Sequence, residues 1–242
     1  MPELAVNVDH IATIREARRT DEPDPVHAIS AIEIAGAHGI VMHLRQDRRH
    51  IQERDLELAL KITHLPVNLE MAPVQSMADV ALKYHPFTVT LVPESTSEIT
   101  TEGGLNLSAQ TEHLNRFIRH LKTGIRELSL FINPDETSIR LASELGAHGI
   151  ELHTGRYAEA DSGDLLAEEL ERIRSGAALA RKLGLRVRAG HGLTYRNVRA
   201  ISRISDIDEL SIGHSIIARC IWTGMERAVR DMLALIGPDC DQ

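Results

Sequence analysis

The stretch Gly36-Ala37-His38-Gly39-Ile40, followed by His43, returns as Gly146-Ala147-His148-Gly149-Ile150, followed by His153. The offset is 110 residues in a chain of 242. Each copy closes an amphipathic helical stretch and opens a short apolar run, so each reads as a junction from helix into strand. Working outward, eight such runs stand out: Leu4 to Asp9, Gly39 to Leu44, Pro66 to Met71, Phe87 to Val92, Arg126 to Phe131, His148 to His153, Leu185 to Gly190 and Glu209 to Gly213. The echo maps the second run onto the sixth, a shift of four βα units, which is half of an eight-stranded barrel. An open doubly wound sheet is the alternative arrangement.

Strands alternating with helices predict a parallel α/β fold. A length of 242 residues suits one (β/α)8 TIM barrel, which typically needs about 250, so residues 1–242 are expected to form a single domain. Asp24-Pro25 and Asn133-Pro134 each read as an N-cap with proline at the first helical position. Gly36, Gly146 and Gly184 read as helix stops.

Composition narrows the function classes. A net charge of -8 and only 3% aromatic residues argue against nucleic acid, which needs basic surface and stacking platforms. The opening MPELAVNVDH carries acids around a short apolar run, unlike a secretory signal, and no segment is long enough to span a bilayer. Cys220 and Cys240 suit neither a disulfide framework nor a zinc cluster. The expected location is the cytoplasm.

In a parallel barrel the helix-facing side chains should be apolar, so polar alternates mark the lumen. Val6 and Val8 then face out while Asn7 and Asp9 face in, as do Asn68 with Glu70 and Glu151 with His153. Such residues cluster at strand ends, where this fold carries its chemistry. Asp9-His10 taken alone would equally suit a helix cap. The run His43-Leu44-Arg45-Gln46-Asp47-Arg48-Arg49-His50 begins inside a strand, so His43 and Arg45 should reach the mouth, and an arginine fork there suits phosphate. A carboxyl such as Glu70 or Glu151 in a partly dehydrated lumen can serve as acid or base; a structural ion pair with Arg188 is the competing reading for Glu151. Strands seven and eight end in Ala189-Gly190-His191-Gly192 and Ser211-Ile212-Gly213-His214, at the usual phosphate site of the fold. Residues 93–106, PESTSEITTEGGLN, are long for a βα connection and read as a lid. The lysines, Lys61, Lys83, Lys122 and Lys182, all fall in or beside helices, which disfavours an enzyme-bound Schiff base.

With these motifs assembled, the chain resembles the pyridoxine 5′-phosphate synthases. The likeness runs from Asn7 to about Ile236 through NVDHIATIR, HLRQDRRH, NLEMA, LVPE, TTEGG, ELHTG, AGHGLT and SIGHSII. It implies condensation of 1-deoxy-D-xylulose 5-phosphate with 3-amino-2-oxopropyl phosphate, without cofactor or metal. His43 and Glu70 would be general bases, His191 a general acid and Glu151 a transition-state stabiliser. Asn7, Arg18, Gly192, Gly213 and His214 would hold the amino ketone phosphate; Asp9, His10, Arg45, His50 and Thr100 would hold the deoxyxylulose phosphate. The resemblance also implies a homo-octamer. Gln46 and Arg19 depart from the family pattern, which usually carries Glu and Gly there. Two other classes compete: a metal-dependent aldolase or hydrolase using His43, His153, His191 and His214, and a non-catalytic phosphometabolite sensor on the same barrel.

Overall fold

A computed structural model describes residues 1–94 and 103–238. Among them, eight parallel strands close into a barrel in sequence order. The strands are β1 (Glu3–Asn7), β2 (Gly39–His43), β3 (Val67–Met71), β4 (Thr88–Leu91), β5 (Glu127–Ile132), β6 (Gly149–His153), β7 (Arg186–Gly190) and β8 (Glu209–Ile212). The surrounding helices are α1 (Asp9–Arg18), α2 (Pro25–Ile34), α3 (Glu53–Ile62), α4 (Gln75–Tyr84), α5 (Thr111–Leu121), α6 (Glu136–Glu144), α7 (Gly155–Glu159), α8 (Gly163–Lys182), α9 (Val198–Ser202), α10 (His214–Thr223) and α11 (Met225–Ile236). Closure comes from β1 against β8, where Glu3 to Val6 register with Glu209 to Ile212. Each of the eight expected runs overlaps one of these strands, β1 starting one residue earlier and β5 ending one residue later than expected, and the closed order excludes the open sheet.

The main core lies between the barrel and its helices. Val6, Ile40, Met42, Leu69, Val89, Leu130, Leu152, Val187 and Leu210 are all buried there. Burying such a side chain contributes about 1.5–3 kcal/mol, so the apolar alternates anchor each strand and leave its other side chains for the lumen.

The sequence echo has a structural counterpart at the N-terminal floor of the barrel. His38 N–H donates to the Leu4 carbonyl at 2.8 Å, and Leu4 N–H returns a bond to His38 Nδ1 at 3.1 Å. His148 repeats both bonds with Leu128, at 2.9 Å and 3.0 Å. Asp208 makes the same two-way latch with Val187 through its carboxylate, both bonds at 2.8 Å. Each latch satisfies a backbone donor at a strand start and fixes the register of the next strand. Burial, with the Lys122 charge adding and Glu127 opposing, lowers the His148 pKa, which favours the neutral ring that can accept.

Helix punctuation matches in part. Asp24 caps α2 by accepting from Val26 N–H at 2.9 Å, with Pro25 first in the helix. Gly36, Gly146 and Gly184 take φ of +97°, +77° and +79°, the left-handed turn that a residue without Cβ enters at least cost. The expected cap at Asn133-Pro134 is displaced. Asp135 caps α6, accepting from Ser138 N–H at 2.9 Å, whereas the Asn133 side chain accepts from Gly104 N–H at 3.0 Å. Asn133 therefore ties down the far end of the connection after β4. Most of the lid expected over residues 93–106, with Thr100, lies outside the described residues, as does Cys240.

Candidate active site

The polar strand ends converge at the C-terminal mouth. At the end of β1, the Asn7 amide donates to Asp9 Oδ2 at 2.8 Å, and Asp9 N–H donates to Asn7 Oδ1 at 2.9 Å. Asp9 Oδ1 accepts from His43 N–H at 2.9 Å, so β1 orients the end of β2. Asp9 is the first residue of α1, and its carboxylate bridges strands rather than capping that helix.

His43 lies between two carboxyl groups. Its Nε2 is 2.9 Å from Glu94 Oε1, and its Nδ1 is 4.0 Å from Glu70 Oε2. Residues 43 and 70 are register partners on β2 and β3. Burial first, then the charges of Glu151 and Asp9, push the Glu70 carboxyl well above the ordinary range. Burial also pushes Glu151 up to about 7, with Arg188 opposing and Glu209 adding. Glu151 Oε2 is buried without a hydrogen-bond partner. Arg188, the competing partner for Glu151, instead donates to Glu127 at 2.6 Å and Glu209 at 3.1 Å. A Cβ on Gly190 would sit 2.4 Å from Glu151 Oε1, so the missing side chain makes room for this carboxyl.

A second group forms at the ends of β6 and β7. The His153 and His191 rings are 4.8 Å apart, with Phe131 5.3 Å from His153. Burial, with the His191 charge adding, pushes His153 down to about 4, and its Nε2 is buried without a partner. Burial lowers His191 too, while Glu159 opposes. His191 and Gly192 both have φ of +78°, and the Thr154 hydroxyl pins this turn, its one hydrogen shared between the Gly190 and His191 carbonyls at 2.8 and 2.6 Å.

Groups whose chemistry suits an anion lie beside these side chains. Gly213 precedes α10, and a Cβ there would lie 2.9 Å from that of Asn7. The N-terminus of α10 begins at His214, whose ring is 4.9 Å from His10. Exposed N–H groups at such a terminus favour negative charge. Arg45 is buried at the other side of the mouth. His50 Nδ1 accepts from Ile51 N–H at 2.8 Å, and burial lowers its pKa, with His43, Arg45 and His10 adding and Asp9 opposing.

One expected residue stays apart. Arg18 is exposed in the last turn of α1, roughly 13 Å of helix rise beyond Asp9. Arg19 caps that helix in the left-handed region at φ 52°, which explains why glycine is usual there. Gln46 donates to Glu94 Oε2 through its backbone at 3.1 Å and its amide at 3.3 Å; a glutamate would set a second carboxylate against Glu94.

Two residues were missed as individuals. Glu94 stands inside the LVPE motif, but a glutamate past a strand end gives no sign of which side chain it meets. Arg15 forms a buried two-pronged pair with Asp55 at 2.9 and 2.7 Å, and its Nη2 donates to the His50 carbonyl at 3.0 Å. Its spacing from Asp55, 40 residues away, hides the pair from sequence reading.

For a metal, the described residues that bring three ligating atoms within 4.8 Å are Asp9, His43 and His50. This set shares only His43 with the four histidines expected for a metal enzyme. Both Asp9 oxygens and His50 Nδ1 already accept hydrogen bonds, and the Arg45 charge acts on His50.

Comparisons with known proteins place the chain in a family. The family described as Pyridoxal phosphate biosynthesis protein PdxJ matches residues 4–238. A pyridoxine 5′-phosphate synthase of Syntrophobacter fumaroxidans is 52% identical over 236 residues, covering 98% of this chain and 99% of the relative. That of Thermosynechococcus vestitus is 52% identical over 238 residues, covering 98% and 100%. Among solved structures, a phosphoribosyl anthranilate isomerase from Thermus thermophilus is similar in fold, with TM-score 0.60, 11% identity and coverage of 97% and 98%. The chain therefore belongs to the PdxJ family of pyridoxine 5′-phosphate synthases, enzymes of vitamin B6 biosynthesis.

Proposed function

We propose that the mouth joins 1-deoxy-D-xylulose 5-phosphate to 3-amino-2-oxopropyl phosphate, giving pyridoxine 5′-phosphate, inorganic phosphate and water. The observation that carries this reading is the opposition of His43 and Glu70 across 4.0 Å, beside a second buried carboxyl, Glu151, whose Oε2 lacks a partner. Ring closure by successive dehydrations needs groups that both give and take protons in a dry site, and this pair has that character.

The amine of one substrate attacks the ketone of the other, and the hydroxyl of the resulting carbinolamine leaves as water. Glu70, held in its acid form by burial, donates the first proton; its conjugate base and His43 then take protons from carbon. Glu151 stabilises the cationic imine as it develops; the deoxyxylulose phosphate group leaves as inorganic phosphate with water taking its place, a deprotonated carbon attacks the amino ketone carbonyl to close the ring, and His191 protonates the resulting hydroxyl, which leaves as water. A neutral His191 must first gain a proton, which an entering phosphate dianion would favour. Asn7, Gly192, Gly213, His214 and the α10 terminus would hold one phosphate, while Asp9, His10, Arg45 and His50 would hold the other substrate. Lys61, Lys83 and Lys182 lie in helices and Lys122 caps α5, so the first imine joins the two substrates to each other.

Incubating purified protein with both substrates and following the pyridine chromophore tests the reading. Product requires both substrates in this account. Binding of both without turnover would instead identify a sensor, and activity abolished by complete metal removal and restored by the metal would identify a metal enzyme.

A further inference from the structure

Glu94 has more hydrogen-bond donors aimed at it than a solvated loop carboxylate would hold. Its side chain is 4% exposed. Oε2 takes two donors from Gln46, one of them a backbone N–H whose direction is fixed, and Oε1 meets His43 Nε2. With the Gln46 backbone and amide N–H groups both donating to Oε2, the carboxyl is held ionised, and an ionised carboxyl only accepts. Burial alone would raise the Glu94 pKa, but the bond and charge of His43 with the two Gln46 donors outweigh it and lower it.

The contact therefore requires the hydrogen on His43 Nε2. The opposite nitrogen, Nδ1, is the one that faces Glu70. We propose that Glu94 is the positioning residue of the His43 base, holding the ring proton on Nε2 and leaving Nδ1 as the nitrogen that takes a proton from substrate. The backbone helps from the other side, because Asp9 fixes His43 N–H. His50, whose ring is 5.9 Å away, and Arg45 complete the charged surroundings. Glu94 acts through His43, as an acid residue orients an imidazole in other acid-base sites.

This inference rests on His43 being a base, so its test has a part that does not depend on turnover. In protein labelled with 15N-histidine, the His43 signals can be assigned by their loss in His43→Asn. The expected spectrum has a protonated Nε2 and a lone pair on Nδ1. In Glu94→Ala that preference should collapse to a mixture. Turnover should fall roughly 10- to 100-fold, with the KM of each substrate changed no more than about threefold. Glu94→Gln is the conservative check on folding, because an amide has one acceptor for donors that arrive from two sides and must fail one of them. Its turnover should fall as well. A wild-type ring protonated at Nδ1 would overturn the proposal whatever the variants do. So would a folded Glu94→Ala or Glu94→Gln enzyme with unchanged turnover and unchanged ring protonation. If His43→Asn keeps its turnover while wild type carries the Nε2 proton, the base assignment fails and the orienting contact stands.

Discussion

The two ends of the barrel lumen treat charge in opposite ways. At the floor, Arg188 donates to Glu127 and Glu209, and Arg186 donates to Glu3 at 2.7 Å and Glu209 at 3.3 Å. At the mouth, Glu70 and Glu151 have raised pKa values, Glu151 Oε2 and His153 Nε2 lack partners, and the histidines His153 and His191 are held neutral. Both ends bury polar groups; at the floor guanidinium–carboxylate pairs dominate, whereas at the mouth the His43–Glu94 contact stands beside carboxyl and imidazole atoms without partners. The difference teaches where stability and chemistry are separated: a charge already satisfied has little left to offer a substrate, whereas a desolvated unpaired group binds or reacts.

Breaking the floor should give the largest effect on stability. Arg188→Met leaves the buried Glu209 and the half-buried Glu127 carboxylates with only Arg186 to serve them, and should cost about 3 kcal/mol in denaturant unfolding. An unchanged midpoint would mean that the floor pairs are not what stabilises the barrel's closed end. Breaking the mouth should leave folding intact and remove activity. His43→Asn and Glu70→Gln should each lower kcat by about 100-fold or more, with modest changes in KM. Near-normal turnover in both would relocate the bases.

The pH dependence of stability sharpens the comparison further. Between 4.5 and about 7, Glu151 binds its proton in the folded chain but loses it in the unfolded one. The folded state then holds more protons, so this group's contribution makes stability fall as pH rises across that window. Glu151→Gln should flatten that part of the curve, read by thermal melts at several pH values. An identical slope in the variant would show that Glu151 titrates normally. The smallest effect is expected far from both ends. Arg19→Gly relieves a left-handed residue that carries a side chain and should stabilise the protein by about 1 kcal/mol; a lower melting temperature would contradict that strain.

The fold was legible because its two signals are local. Apolar alternation marks each strand, and the Gly-Ala-His-Gly-Ile echo turns out to be a pair of register latches at His38 and His148. The cap at Asp135 was not legible, since Asn133-Pro134 carries an equally good local pattern and only the contact with Gly104 decides between them. Within the site, Asp9, Glu70, Glu151 and His153 could be assigned to the lumen from strand parity, His43 from its place inside a strand, and His191 from the glycine-flanked turn after the seventh strand. The partners that tune them could not. Glu94 reaches His43 across 51 residues, and Arg15 reaches Asp55 across 40, pairings set by barrel closure rather than spacing. Arg18 shows the converse limit, since the resemblance places it at the site while it lies exposed at the outer end of α1.

The central claim is that the mouth moves protons around an imine that belongs to the substrates. Borohydride reduction during turnover tests it when protein and small molecules are both analysed by mass. The account predicts that the protein mass is unchanged while a reduced amine joining the two substrates is recovered from solution. A stoichiometric substrate adduct on Lys61, Lys83, Lys122 or Lys182 would contradict it.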